Sequence, residues 1–157
     1  MNCAQSNFVL SNLINMDLLK LENQICFPLY AASRQMTALY RPLLEELDLT
    51  YPQYLVMMVL WEHQEITVRQ LGDILLLDSG TLTPLLKRME EKGWVARVRS
   101  SEDERVVNIS LTAAGKKLKQ KAKTVPERLV CNTGMEEGEL KQLRELLYKM
   151  LTQITQD

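Results

Sequence analysis

Cys26, within Leu21-Glu22-Asn23-Gln24-Ile25-Cys26-Phe27-Pro28-Leu29-Tyr30, looks like a thiol built to react, since tyrosines follow it at 30, 40 and 51. Cysteine is a nucleophile only as the thiolate, and a helix N-terminus favours that form. Pro28 cannot donate a backbone hydrogen bond, so a helix should kink or restart there and leave Cys26 close to such a terminus. The plain alternative is that Cys26 packs among aromatic rings as an inert small hydrophobe. Cys3 and Cys131 complete the three cysteines, and His63 is the one histidine. No CxxC or HxxxH spacing exists, so no metal or other cofactor is expected, and redox chemistry or inert packing remain as the roles of the thiols.

A second chemical pattern lies in the distribution of charge. The net charge of −1 argues at first against a nucleic-acid partner, yet the middle of the chain is basic. Residues 1–86 carry four bases against nine acids, and residues 124–157 carry four against six. Residues 87–123 carry eleven bases against five acids, a local charge of +6. A localised basic surface suits phosphate binding, although a solvated face would have the same composition.

These groups need a scaffold. A chain of 157 residues, 46% of them hydrophobic, can bury one ordinary core, so a single domain spanning 1–157 is expected, alone or as a protomer of a dimer. No apolar run approaches the ~20 residues that cross a bilayer, and Met1 to Gln5 lack the features of a signal peptide, so the expectation is a cytoplasmic protein with no membrane partner. Leu29, Ala32, Met36, Leu39, Leu43 and Leu47 keep helical spacing in a pattern from about Met16 to Glu46. Pro52 opens a second helix, Gln53 to about Glu62, and Thr67 with Gln70 forms a capping box for a third, Val68 to about Leu75. A fourth helix starts between Asp78 and Thr83 and ends at Gly93, with Leu82, Leu85, Leu86 and Met89 on one face. Its other face shows Gly80, Thr83, Pro84, Lys87 and Arg88, small, hydroxyl and basic side chains able to enter a DNA groove.

Val95 to Arg99 and Val106 to Leu111 alternate as strands about the turn Ser100-Ser101-Glu102-Asp103-Glu104, which predicts a β-hairpin. Helix, turn, basic helix and basic hairpin in that order give a mainly α fold with a small hairpin wing, the winged helix-turn-helix, with Arg99 and Arg105 as the wing contacts to DNA. Arg105 could also pair locally with Asp103. After the wing, Thr112 starts a helix through the lysine-rich stretch to Pro126. A last helix carries Leu140, Leu143, Leu146, Leu147, Met150, Leu151 and Ile154. That stripe and the long N-terminal helix suggest a homodimer built from both termini, or packing on the chain's own core. Two recognition helices ~34 Å apart would read a palindromic operator in double-stranded DNA.

The stretch from Leu77 to Glu90, Leu-Asp-Ser-Gly-Thr-Leu-Thr-Pro-Leu-Leu-Lys-Arg-Met-Glu, together with Asp103-Glu104-Arg105, resembles the recognition helix and wing of the MarR transcription-factor family, and the likeness covers almost the whole chain. Within that family, Leu21 to Phe27 with Tyr30, Tyr40 and Thr50-Tyr51-Pro52-Gln53-Tyr54 is similar to the organic-hydroperoxide-resistance repressors. The resemblance implies residues 1–50 and 112–157 as dimerisation helices and 51–111 as the DNA-binding lobe. It implies DNA contacts by Ser79, Gly80, Thr81, Thr83, Pro84, Lys87 and Arg88 on the helix and by Arg99, Asp103 and Arg105 on the wing. It also implies that an organic hydroperoxide oxidises Cys26 to a sulfenic acid, with Tyr40 and Tyr51 as hydrogen-bonding partners from the other subunit and Tyr30 as a further member of the pocket. Cys131 resembles the resolving thiol of the two-cysteine branch, which forms an intersubunit disulfide that turns the DNA-binding lobes. Otherwise a small cytosolic thiol would cap the sulfenic acid. Cys3 is read as incidental. A regulator released by a small aromatic effector and a thiol peroxidase are the competing readings. A basic wing has no use in the enzyme.

Overall fold

The computed structural model describes residues 17 and 19–155. Cys3 and the expected helix start at Met16 lie outside them. The chain divides into two compact units, Met1–Ala38 and Leu39–Asp157. In the first, a short turn of 3-10 helix at Leu21–Asn23 precedes helix α1, Cys26–Glu45, whose later residues belong to the second unit. Pro28 does not interrupt the helix. It is the third residue of α1, inside the first turn, where a missing N–H costs nothing because that donor has no intrahelical partner.

The second unit starts with the end of α1, where Leu43 and Leu44 are buried. Helix α2, Tyr51–His63, starts two residues earlier than its sequence pattern suggests because Pro52 is accommodated within the first turn. The Thr50 backbone N–H donates to Gln53 Oε1 at 2.9 Å, which satisfies a side chain that is otherwise buried. Val56, Met57 and Leu60 are fully enclosed, which makes α2 the central helix of this unit. Strand β1, Glu65–Thr67, follows at once and leads into helix α3, Val68–Leu75. The capping box is as expected: Gln70 N–H donates to Thr67 Oγ1 at 3.1 Å and Thr67 N–H to Gln70 Oε1 at 3.1 Å.

Leu76 turns the chain through a left-handed backbone into helix α4, Ser79–Glu91. A Cβ on Gly72 would sit 2.7 Å from the Leu77 carbonyl oxygen, so the turn between α3 and α4 closes only over a glycine. Asp78 caps α4, accepting from the Thr81 N–H at 2.8 Å and the Thr81 hydroxyl at 2.9 Å, and those two donors hold its carboxyl below the usual range. Leu82, Leu86 and Met89 bury the inner face, each leucine contributing about 1.5–3 kcal/mol through burial. At the other end Gly93, at φ 73, donates to Glu90 O and Trp94 donates to Met89 O, the paired bonds of a Schellman ending.

Strands β2, Val95–Arg99, and β3, Val107–Leu111, form the hairpin, with Val95 opposite Leu111 and Arg99 opposite Val107. The sheet has a third strand that a hairpin alone does not contain. β1 pairs antiparallel with β3, Ile66 opposite Ile109, in the order β1-β3-β2. Helix α5, Ala113–Ala122, ends before Pro126, which lies instead in the first turn of a separate helix α6, Val125–Thr133. Proline is well suited to the start of a helix, which is why the lysine-rich segment and Cys131 fall on different helices. The last helix is α7, Glu137–Ile154, in which no residue is buried.

Candidate sensor residues and nucleic-acid interface

Cys26 is the first residue of α1, an exposed free thiol at the end of a 20-residue helix where the helix dipole is positive. Tyr30 is one turn further along, and its hydroxyl accepts from Arg34 Nη1 at 3.2 Å while the guanidinium carbon lies 5.4 Å from the ring centroid. These three belong to the first unit. Tyr40, Tyr51 and Cys131 belong to the second.

Tyr40 and Tyr51 are brought together, with ring centroids 4.7 Å apart, and Tyr54 joins them at 5.8 Å from Tyr40. Tyr54 belongs to the motif Thr50 to Tyr54 but was given no place in the sensor pocket, although its i+3 spacing from Tyr51 places it on the same side of α2. Burial pushes the Tyr40 phenol up to about 12, with Tyr51 and Tyr54 beside it adding to the effect, and burial raises Tyr51 and Tyr54 in the same direction. All three are therefore protonated at neutral pH and hold an O–H to donate. Cys131 is an exposed free thiol in α6, the second helix after the wing rather than the first.

On the outer face of α4, Ser79, Gly80, Thr81, Thr83, Pro84, Lys87 and Arg88 are all solvent-accessible, and Lys87 lies one turn beyond Thr83. The Thr83 hydroxyl donates to Ser79 O at 2.6 Å, and Pro84 leaves the Gly80 carbonyl without its helical donor, so the N-terminal half of α4 presents backbone as well as side-chain groups. Arg99 is exposed on β2. Arg105, 90% exposed, grips Asp103 through Nε at 3.0 Å and Nη2 at 3.1 Å, and the guanidinium keeps the Asp103 carboxyl below its ordinary range. The local ion pair thus forms, and it stiffens the wing tip with Ser100 N–H to Val106 O at 2.9 Å. A cavity of about 780 Å³ separates α3 and α4 from the wing, lined by Arg69, Asp73, Thr83, Arg97 and Arg105 among others. Arg97 Nε is buried there without a hydrogen bond, while its Nη1 lies 3.6 Å from Glu90.

Among the described residues no group of histidine, cysteine, aspartate or glutamate could hold a metal ion, and no helix is long and apolar enough to cross a membrane. A short sheet whose hairpin flanks an exposed, hydroxyl-rich and basic helix is the winged helix of a DNA-binding regulator.

Comparison with known proteins agrees. The family description "Transcriptional regulator SarA/Rot" matches residues 38–122. The organic hydroperoxide resistance transcriptional regulator of Bacillus subtilis is 53% identical over 140 residues, covering 89% of this chain and 95% of that protein. AbfR of Staphylococcus epidermidis is similar in structure. Its reduced, DNA-bound form has a TM-score of 0.71 at 35% identity, covering 90% of this chain and all of that one, and its disulfide-formed state has a TM-score of 0.61 at 34% identity over 94% and 99%. A cysteine-to-serine mutant of Escherichia coli MarR, 28% identical, has a TM-score of 0.61 and covers 82% of this chain and 96% of that one. The chain belongs to the MarR-type winged-helix transcriptional regulators, in the organic hydroperoxide resistance group. It is a regulator and not an enzyme.

Proposed function

We propose that this chain is a cytoplasmic, homodimeric repressor that senses organic hydroperoxides through Cys26 and releases a palindromic operator when oxidised. The observation that carries the reading is the free, exposed Cys26 thiol at the N-terminus of α1, in a chain that also assembles three protonated phenols at Tyr40, Tyr51 and Tyr54. The thiolate attacks one peroxide oxygen. The O–O bond breaks, the alkoxide takes a proton and leaves as an alcohol, and Cys26 becomes a sulfenic acid. Tyr40 and Tyr51 of the other subunit donate to the thiolate, and Tyr30 completes the pocket. The Cys131 thiol of the partner subunit then displaces water from the sulfenic acid to form a disulfide. Residues 1–50 and 112–157 serve as the dimerisation helices, supported by the exposed apolar side chains Leu143, Leu146 and Tyr148 on α7. The lobe 51–111 places Ser79, Gly80, Thr81, Thr83, Pro84, Lys87 and Arg88 in the major groove and Arg99, Asp103 and Arg105 at the neighbouring minor groove.

The test is operator binding before and after one equivalent of an organic hydroperoxide, with non-reducing gels of the parent, Cys26→Ser and Cys131→Ser. Loss of binding with a covalent dimer that needs both cysteines is the expected result. Release without a covalent dimer points to capping by a small thiol, and unchanged binding sinks the redox reading. The cavity beside Arg97 and its unpartnered Nε favour a second reading, release by a small aromatic effector. Cys26→Ser separates the two, because an effector-released regulator keeps its response without that thiol.

A further inference from the structure

The four residues between α1 and the α2 cap, Glu46 to Leu49, alternate in direction. Leu47 and Leu49 are buried at 6% and 5% exposure, while Glu46 and Asp48 face outward. Leu47 and Leu49 N–H both donate to Leu44 O at 3.0 Å, and Asp48 sits in the left-handed region at φ 57, so the loop has a fixed shape. Each outward carboxylate holds a different element. Glu46 takes Arg128 of α6 through two bonds of 3.0 Å, Nη1 to Oε2 and Nη2 to Oε1. Asp48 takes Lys92, the residue that ends α4, through its carboxylate at 2.7 Å and its backbone carbonyl at 2.8 Å. The Lys92 ammonium also lies 4.6 Å from the Trp94 ring centroid at the root of the wing.

Arg128 precedes Cys131 by three residues, so the two lie on neighbouring positions of α6. The Arg128–Glu46 pair joins α6 to this loop through two side-chain hydrogen bonds. The same loop is flanked by Tyr40 on α1 and Tyr51 on α2. We propose that Glu46 and Asp48 are positioning residues that transmit the state of the cysteine-bearing helix to the DNA-reading helix: displacement of α6 acts on the loop through Arg128, and the loop acts on the C-terminal end of α4 through Lys92. The relay rests on Cys131 being the resolving thiol. A rigid loop with one charged clamp on each side couples two elements in proportion to how far each clamp's energy differs between the two states.

The experiment compares full-length parent, Glu46→Gln and Asp48→Asn by operator-fragment anisotropy, reduced and after cumene hydroperoxide, with the extent of oxidation read on non-reducing gels. Asparagine tolerates the left-handed backbone at 48, so that variant removes charge without strain. Reduced proteins are expected to bind the operator within about twofold of the parent, while the oxidised-to-reduced loss of affinity shrinks about two- to fivefold in each variant, the scale of an exposed ion pair. The charge swap Glu46→Arg with Arg128→Glu is expected to restore the parent's ratio. Both variants keeping that ratio at equal oxidation would overturn the relay. The gel separates the two failures: a missing disulfide band sinks the role of Cys131, and an unchanged ratio sinks the relay.

Discussion

The Tyr40 phenol, half-buried beside Tyr51 and Tyr54, has its pKa pushed up, and the shift has a sign. The phenol is neutral in the folded protein up to about pH 12 but ionises near 10 when unfolded, so the folded state binds more protons between those limits. Stability that is fully present below pH 10 is lost as pH climbs toward 12. Denaturant unfolding across that range is expected to show the decline in the parent and a flatter profile in Tyr40→Phe; identical profiles would mean that burial does not hold the proton. At the DNA face, Lys87→Ala and Arg105→Ala are each expected to weaken operator binding and to lower the salt slope by about one unit, measured as log affinity against log salt concentration. A slope that does not move would remove that side chain from the phosphate contacts. Cys26, Tyr40 and Tyr51 stood out in the sequence because thiol and phenol chemistry is written in residue type. The clamps Glu46–Arg128 and Asp48–Lys92 did not, because they join positions 82 and 44 apart, and among 39 charged side chains nothing local marks which pairs will meet.

At the scale of elements, the winged helix was legible because its pieces carry local signals: the Thr67 cap, the Gly93 ending and the alternation of the wing strands, whereas the start of α4 was bracketed between Asp78 and Thr83 and the structure fixes Asp78 as its cap. Strand β1 was missed because three residues are too short to show alternation, and it pairs with β3, a strand remote in the chain. Both proline misreadings have one cause. Pro28 and Pro126 signal a break, but a proline in the first turn marks where a helix begins, and the sequence alone does not fix which turn it occupies. The turn between α3 and α4 supplies the test at this scale. Gly72→Ala brings a methyl to 2.7 Å from the Leu77 carbonyl oxygen, so the variant is expected to lose about 1–3 kcal/mol in urea unfolding and to bind operator more weakly. Parent-like stability would show that α3 and α4 can part without cost.

For the whole molecule, the contrast between a basic middle and acidic flanks suited a nucleic-acid partner or a solvated face alike until the helix and hairpin order was added, while the division at Ala38 and Leu39 falls inside a helix that reads as continuous. Helix α7 buries none of its residues within the chain, and Leu146, Tyr148 and Ile154 stand at 64%, 66% and 64% exposure. If the side of α7 that carries Leu143, Leu146 and Met150 is the dimer seam, Leu146→Glu is expected to sediment as a monomer and to lose at least about tenfold in affinity for a two-half-site operator, since each half-site then binds alone. A dimeric variant with full affinity would place the seam elsewhere. The chain's two tryptophans are both buried at joints of the second unit. Trp61 donates from Nε1 to Gly115 O at 3.0 Å and takes Lys119 on its own carbonyl at 2.9 Å, whereas Trp94 lies under Lys92 where α4 meets the wing. Indole emission is sensitive to water and to nearby cations, so the protein carries its own optical probes, and Trp61→Phe would leave a single indole reporting in real time on the base of the wing.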